Sequence, residues 1–291
     1  LDMSVLFDKQ IIALGFFDCV HMAHRKILET ACQAALSMGV KSAAITFTGN
    51  IKTMPVVYDY DERVKLLSEL CDNLISFEFS DDFKSMSAEN FLMLLINKYN
   101  AVGFVCGYDY TFGKNAAGNS AFLSAFAKEH NFFCSIEVPL YCDGEPVSST
   151  KIKHLLSEGN IVAANKLLVK PYHITQRVVH GRGQGHLFGC PTINFLPKNN
   201  VLLPKYGVYS TMSDINGKLY YSVTNIGNKP TFGDDVVSIE TFVDGFSGSV
   251  YDSNVTIIFK DRLREIKKFD NDSQLKQQIF EDIRRSKLCC E

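Results

Sequence analysis

The sequence lacks the features that mark several large classes of protein. No apolar run approaches the roughly 18–20 residues that a membrane-spanning helix needs, and no two of the nine cysteines form a CxxC pair. There are no internal repeats and no block of like charge, and 30 basic against 32 acidic residues give a net charge of −2. These absences argue against a membrane protein, a disulfide scaffold and a protein that binds nucleic acid.

The size and composition of the chain predict a two-domain cytoplasmic protein. It has 291 residues, of which 46% are hydrophobic, enough for more than one core. The segment LDMSVLFDKQ (1–10) does not show the basic-then-apolar order of a secretory signal. The scattered cysteines are interpreted as reduced thiols. We therefore expect small-molecule partners, no nucleic acid, no membrane, and a monomer or weak homo-oligomer.

The spacing of apolar residues along the sequence changes once. Up to about residue 168, short apolar runs alternate with amphipathic segments, which predicts a parallel sheet with helices on both faces. After KPY (170–172) apolar and polar residues alternate singly, which predicts an antiparallel barrel or sandwich, followed by a C-terminal amphipathic helix. The predicted domains are 1–169 and 170–291. Strands are predicted over 11–18, 42–47, 74–79, 101–107 and 132–139, and helices over 24–39, 61–70, 87–99, 120–130 and 148–160.

Two histidines follow the first predicted strand, in the stretch GFFDCVHMAH (15–24). His21 and His24 lie three residues apart where a helix begins, so they are able to cap the helix, hold a metal or bind phosphate. A helix amino terminus attracts phosphate through its N–H groups and partial positive charge. A metal site would need a third ligand that the local sequence does not supply. Asp18 is a candidate to hold Mg²⁺ or to orient a histidine.

Two further stretches are expected near ligand. GYDYTFG (107–113) follows a later strand, and its rings Tyr110 and Phe112 are suited to stacking on a planar group. VSSTKIK (147–153) begins a helix with hydroxyls and lysines, which suits a phosphate. A plain loop and an ordinary helix cap are the alternatives for each stretch taken alone.

These three stretches together resemble the amino-terminal module of the bacterial bifunctional riboflavin kinase/FAD synthetase family. That module is a Rossmann-like nucleotidyltransferase with an HxGH-type motif, and it transfers AMP from ATP to FMN. The family patterns are G-x-F-D-G-V-H-x-G-H, G-x-[DN]-F-x-F-G and [IV]-S-S-T-x-I-R. The resemblance implies that His21 and His24 are catalytic, that Tyr110 and Phe112 bind flavin, and that the nucleotide is bound by Gly15, Phe16, Asp18, Asp109, Ser149, Thr150 and Lys153.

Three positions depart from the family pattern. Cys19 and Ala23 stand where the family has glycine, and Lys153 stands where arginine is usual. A methyl group between the histidines is expected to crowd a phosphate, and lysine lacks the bidentate fork of arginine.

The stretch HGRGQGHLFGCPTINF (180–195) is the densest motif of the second part. Its glycines, among them Gly181 and Gly185, are able to wrap phosphates with N–H groups. Thr192 and Asn194 offer oxygen atoms to Mg²⁺ and ATP. It is not a Walker loop, because no GKS or GKT follows. A flexible hairpin loop is the alternative.

This stretch resembles the riboflavin kinase signature G-x-x-x-G-R-x-L-G-x-P-T-A-N of the same family, and the resemblance continues through SIETFV (238–243) and RLREIKKF (262–269). It implies that Glu240 is the base for the ribityl hydroxyl and that Arg264 and Phe269 lie near the flavin. His186 replaces the usual arginine. Without the PTIN match, the sequence pattern alone favours the alternative that Glu240 is a solvated acid on a strand.

The resemblance as a whole implies an enzyme of FAD biosynthesis. It would phosphorylate riboflavin to FMN and adenylylate FMN to FAD, with ATP as co-substrate, Mg²⁺ as cofactor, and no covalent intermediate. Two alternatives remain at this point. The first domain has lost turnover through Cys19 and Ala23, or the protein is a sensor that binds flavin or nucleotide without catalysis.

Overall fold

A computed structural model describes residues 7–49, 55–179, 192–228 and 237–290 of the chain. They form two compact units, Leu1–Ser149 and Thr150–Glu291. The division lies before the boundary predicted from the sequence, because the helices that follow Ser149 group with the second unit. The predicted domain boundary at residue 169 stays a prediction.

The first unit is built on a five-stranded parallel sheet with the strand order β3-β2-β1-β4-β7. Two short hairpins, β5–β6 and β8–β9, and a 3-10 helix (Lys114–Ala116) complete it. The strands are β1 (Gln10–Leu14), β2 (Lys41–Thr48), β3 (Asn73–Glu78), β4 (Ala101–Gly107), β5 (Thr111–Phe112), β6 (Gly118–Asn119), β7 (Phe133–Glu137), β8 (Tyr141–Cys142) and β9 (Glu145–Pro146). The helices are α1 (Met22–Met38), α2 (Tyr60–Ser68), α3 (Asp81–Ser85), α4 (Ala88–Tyr99) and α5 (Ser120–Glu129).

Both faces of this sheet are covered, as the sequence predicted. All five residues of β1 are buried, which is typical of a central strand in a parallel sheet with two covered faces. On one face, Ile12 and Ile45 belong to a hydrophobic core that includes Phe91 of α4 and Leu123 of α5. The carboxyl ends of parallel strands share one edge, which is the usual place for ligands in such sheets.

The first strand is shorter than the sequence predicted. β1 ends at Leu14 instead of residue 18, and Phe17, which lies inside the predicted strand, adopts a positive φ angle of 55°. Such angles are incompatible with a strand. The first helix correspondingly begins at Met22, two residues earlier than predicted.

The second unit contains two helices followed by a curled six-stranded antiparallel sheet and a final helix. The sheet order is β10-β15-β12-β13-β14-β11, and an antiparallel bridge between Val179 and Asn194 joins its two edge strands. The structure therefore confirms the antiparallel β architecture that was predicted for this part of the chain, in the form of a curled sheet. The elements are α6 (Ser149–Ser157), α7 (Ile161–Leu167), β10 (His173–Arg177), β11 (Thr192–Phe195), β12 (Gly207–Ile215), β13 (Lys218–Asn228), β14 (Val237–Val243), β15 (Asn254–Arg264) and α8 (Asp272–Cys290).

The final helix packs on the sheet of the second unit. Ile283 of α8 forms an apolar cluster with Val208, Val223 and Phe242 of three strands. Asp282 and Ser286 of the same helix are fully buried, so the helix also presents polar groups to the sheet. No helix in the described ranges is long and apolar enough to cross a membrane.

Candidate active sites

The turn from β1 into α1 has a tightly packed backbone. A side chain at Gly15 would meet the ring of Phe17, since an added Cβ would lie 2.7 Å from its Cζ atom. The ring of Phe17 also contacts the His24 ring edge-on, with centroids 5.1 Å apart. Gly15 is therefore required for packing within the turn, which explains the small residue at this position without a direct contact to nucleotide.

The two histidines lie at the start of α1, as the sequence predicted. His21 is the N-cap, and its Nδ1 atom accepts a hydrogen bond from the His24 backbone N–H at 3.2 Å. The two rings stack with centroids 3.5 Å apart. Because Nδ1 accepts, the neutral imidazole of His21 carries its hydrogen on Nε2 and is a hydrogen-bond donor there.

His21 is only 4% exposed. Burial lowers the pKa of its imidazole from 6.5 to about 4, although the Asp18 charge acts in the opposite direction. His21 is consequently neutral at physiological pH, and its Nε2–H group is a hydrogen-bond donor.

The residues around the histidines hold the turn in place. Asp18 is buried, and its carboxylate accepts a hydrogen bond from the Val57 backbone N–H at 2.8 Å. Cys19 is fully buried, and Ala23 lies in the first turn of α1 with partial exposure. Neither has a positive φ angle, so the backbone needs no glycine at these two positions.

An aromatic cavity of about 410 Å³ lies in the first unit. Tyr110 and Phe112 stack on each other, with centroids 5.6 Å apart and planes 17° apart, and both line the cavity. The other rings of its wall are Phe16, Phe47, Phe79, Phe83 and Phe91. The structure thus brings the predicted flavin-binding residues to one apolar space. Phe16 connects this space with the turn from β1 into α1 (residues 15–21), which is called the histidine turn below.

A buried arginine stands behind this cavity, and the sequence analysis did not single it out. Arg63 of α2 is 3% exposed, and its guanidinium lies 4.5 Å from the centroid of the Phe16 ring. In the sequence it follows two acidic residues in an amphipathic helix (DERVKLL, 61–67), and it belongs to none of the motifs that indicate a site.

The remaining nucleotide-binding candidates lie on three different elements. Asp109 is exposed in the loop after β4. Ser149 begins α6, in which Thr150 and Lys153 also lie. Ser149 belongs to the first compact unit and the other two belong to the second. Their roles stay predictions.

In the second unit, three polar side chains lie side by side across neighbouring strands. Glu240 of β14 is paired with Asn194 of β11 on one side and with Asn225 of β13 on the other. Directly paired residues project to the same face of a sheet. Asn225 was within a quoted motif stretch, NIGNKPTFG (225–233), but was not proposed as a site residue.

Glu240 and Asn225 border a cavity of about 250 Å³ between the sheet and α8. The chemically important lining residues are Thr192, Asn225, Glu240, Arg264, Phe269 and Asp282. Four of the six were predicted from the sequence. The cavity combines a carboxylate, a hydroxyl, an amide and an aromatic ring within one space, which suits a polar aromatic ligand.

Arg264 is held rigidly at this cavity. Its Nε and Nη2 atoms donate to the Asp282 carboxylate at 3.0 and 2.7 Å, and its guanidinium lies 5.9 Å from the Phe269 ring centroid. Asp282 also accepts a hydrogen bond from Gln278. Sequence reasoning missed Asp282 because it lies 18 residues from Arg264 on another element, with no motif linking them.

Some predicted positions lie outside the described residues. These are Gly181, Gly185 and His186 of the glycine-rich stretch. Within the part of the chain that the structure describes, no three His, Cys, Asp or Glu side chains form a group that could hold a metal ion.

Comparisons with known proteins agree with this division into two sites. The family model "FAD synthetase" matches residues 6–151, and the model "Riboflavin kinase" matches residues 168–290. The bifunctional riboflavin kinase/FMN adenylyltransferase of Bacillus subtilis is 31% identical over 94% of this chain and 90% of its own length. The chain belongs to this bifunctional family. The enzyme of the same name from Listeria monocytogenes is 29% identical over the same shares of the two chains.

A solved structure has the same architecture. The crystal structure described as that of a macrolide-efflux protein from Streptococcus pneumoniae superposes with a TM-score of 0.86 at 27% identity. The match covers 96% of this chain and 94% of the other. The arrangement of a parallel α/β unit followed by an antiparallel β unit is therefore shared over nearly the full length of both proteins.

The pKa of His21 generates a prediction about stability. The folded-state pKa of about 4 lies below the ordinary 6.5. The unfolded chain therefore binds more protons between these values, and the folded state loses stability as pH falls from 6.5 towards 4, by roughly 3 kcal/mol. His21→Asn keeps an acceptor for the helix cap but does not titrate in this range. We expect the variant to lose much less stability in urea titrations at several pH values.

The matched control is His130→Asn, which changes an exposed histidine of the same unit. It should retain the wild-type pH dependence. If His21→Asn also retained it, another group would be responsible for the loss.

Proposed function

We infer that this enzyme phosphorylates riboflavin in its second unit and adenylylates the resulting FMN in its first, with ATP as the donor in both reactions. The observation that carries this function is the pair of cavities, one in each family-matched unit. Each holds aromatic side chains and a polar group suited to its reaction. Family membership supplies the reaction, and the cavities supply candidate residues for it.

For the kinase reaction, we propose Glu240 as the general base. A carboxylate accepts the proton of the ribityl 5′-hydroxyl as that oxygen attacks the γ-phosphorus of ATP. Asn194 and Asn225, on either side of Glu240, orient substrate or carboxylate by hydrogen bonds. Phe269 and the rigid guanidinium of Arg264 border the space proposed for the isoalloxazine ring.

Magnesium ion is proposed for this site on the chemistry of the donors. The Thr192 hydroxyl lines this cavity, and Asn194 lies two residues further along the same strand; hydroxyl and amide oxygens are ligands that Mg²⁺ accepts. When bound, it neutralises charge on the phosphates during transfer. The protein's own residues supply alignment and proton acceptance.

For adenylyl transfer, we propose that phosphates bind at the start of α1 and that the flavin ring occupies the aromatic cavity. Neutral His21 donates from Nε2 to a phosphate oxygen, and the N–H groups of the first helical turn add further donors. An FMN phosphate oxygen attacks the α-phosphorus of ATP, and pyrophosphate leaves. Hydrogen bonds to the leaving group lower the barrier as its negative charge grows.

The alternative hypothesis, that the first domain has lost turnover, gains no support from the backbone angles. Cys19 and Ala23 have ordinary φ angles, so both replace glycine without conformational strain. A cytoplasmic location, the oligomeric state and the roles of individual residues stay predictions.

The test of this function is incubation of the purified chain with riboflavin, ATP and Mg²⁺, followed by chromatographic separation of flavins. FMN and FAD should both form. FMN without FAD would indicate that only the second unit is active, and the absence of both products would contradict the proposed function.

Glu240→Gln tests the proposed base. The amide keeps the size of the side chain but does not accept the proton, so we expect the rate of FMN formation to fall by roughly 10²–10⁴-fold. Riboflavin binding, measured by quenching of flavin fluorescence, should change little, which also separates an enzyme from a sensor. Glu281→Gln, at an exposed position of α8, is the control with wild-type rate. A Glu240→Gln variant that turns over normally would remove Glu240 from this role.

Ala23→Gly tests whether the methyl group between the histidines crowds the phosphates. Removing a methyl group from a tight site is expected to raise kcat/KM for ATP in FAD formation by roughly tenfold. The same change costs about 1 kcal/mol of helix stability. Ala34→Gly, later in α1, imposes a similar helix cost and should leave the rate unchanged. Equal rates for wild type and Ala23→Gly would show that the methyl group is tolerated.

A further inference from the structure

Arg63 joins three separate segments of the first unit. Its Nη2 atom donates to the Phe47 carbonyl near the end of β2 at 2.7 Å, and Nη1 donates to the Tyr58 carbonyl just before α2 at 3.0 Å. The guanidinium lies over the Phe16 ring, which follows β1, with its Cζ atom 4.5 Å from the ring centroid. One side chain therefore links the ends of two central strands and the beginning of a helix.

Two of these contacts concern a single wall of the aromatic cavity. The rings of Phe16 and Phe47 stack with centroids 6.3 Å apart and planes 28° apart, and both rings line the cavity. Arg63 contacts the ring of the first residue and the backbone of the second. The guanidinium thus fixes the position of this aromatic pair from behind, while its 3% exposure keeps it away from bulk solvent.

The charge of Arg63 is also significant for the histidine turn. Burial lowers the pKa of the guanidinium, and the nearby carboxylates of Asp18 and Asp59 act in the opposite direction. A buried cation is costly unless opposite charge and hydrogen bonds compensate it. Asp18 of the histidine turn is one of the compensating charges. The Asp18 carboxylate thus favours the charged form of Arg63, while Arg63 reaches the proposed flavin site by its contact with the Phe16 ring.

We propose that Arg63 is a positioning residue for adenylyl transfer, which holds the Phe16–Phe47 wall against the flavin ring. This inference rests on the proposed function of the first unit. Arg63 does not touch the reacting atoms in this proposal. It acts through Phe16 and Phe47, so its loss should weaken FMN binding and misalign FMN with ATP.

The experiment compares Arg63→Met and Arg63→Lys with wild type in FAD formation, with FMN and ATP varied separately. Misplacement of a bound substrate by about 1 Å can cost 10²-fold in rate. For Arg63→Met we expect kcat/KM for FMN to fall by roughly 10- to 100-fold, mainly through a higher KM for FMN. Arg63→Lys keeps the charge but lacks the planar guanidinium that contacts Phe16. Its kcat/KM for FMN should lie between the values for wild type and Arg63→Met.

Two controls separate this role from a loss of folding. Lys65→Met changes an exposed side chain of the same helix and should leave the KM for FMN at its wild-type value. FMN formation by the second unit, measured in the same preparations, reports the concentration of active chain. A merely structural arginine would reduce kcat in proportion to the folded fraction of the first unit and leave the KM for FMN unchanged, and that result would overturn the proposal.

A double-mutant cycle keeps the proposal testable if Arg63→Met does not fold. Arg63→Lys and Phe16→Leu are measured singly and together. If Arg63 acts through the Phe16 ring, the effect of Arg63→Lys on the KM for FMN should be smaller in the Phe16→Leu background. Independent, additive effects would contradict this. Wild-type chain that forms no FAD would instead refute the proposed function of the first unit, so the two failures are distinguishable.

Discussion

Pairing between neighbouring strands is the constraint on which both sites depend. In the first unit, parallel pairing of β1 with β2 and β4 brings the ends of these strands to one edge, where the histidine turn and the aromatic cavity are built. In the second unit, antiparallel register places Glu240 between two asparagines. A register shift of one residue would turn Glu240 to the opposite face of the sheet and remove it from the cavity.

Buried polar groups then fix the side chains that the strands bring together. His21 caps α1, Arg63 links strand ends, and Asp282 holds Arg264 in a two-point ion pair. Each group makes several contacts, which a buried polar group needs to offset its loss of hydration. Rigid support of this kind limits the movement of groups that face a substrate. In both units, therefore, buried polar groups with several contacts hold the site side chains in place, although the two folds are unrelated.

The turn before α1 shows that a motif can change its residues and keep its shape. The positive φ angles fall on Phe17 and Val20, while Cys19 and Ala23, which replace the glycines of the family pattern, have ordinary backbone angles. Non-glycine residues in that region cost of the order of 1–3 kcal/mol each, and such strain is often found at functional sites. The glycine that packing does require is Gly15, because the Phe17 ring occupies the space of a side chain there.

The sequence by itself determined the order of elements, the two architectures and several of the polar and aromatic residues that line the cavities, because apolar periodicity and short motifs are local properties of the chain. His21, Tyr110, Glu240 and Arg264 were all found in this way. Only the tertiary structure revealed Arg63 and Asp282, because their contacts with Phe16, Phe47 and Arg264 join different elements of the fold. Local pattern assigns a charged residue in an amphipathic helix to solvent. Its burial is decided by carbonyl groups, rings and carboxylates that other elements bring to it, and no local pattern contains that information.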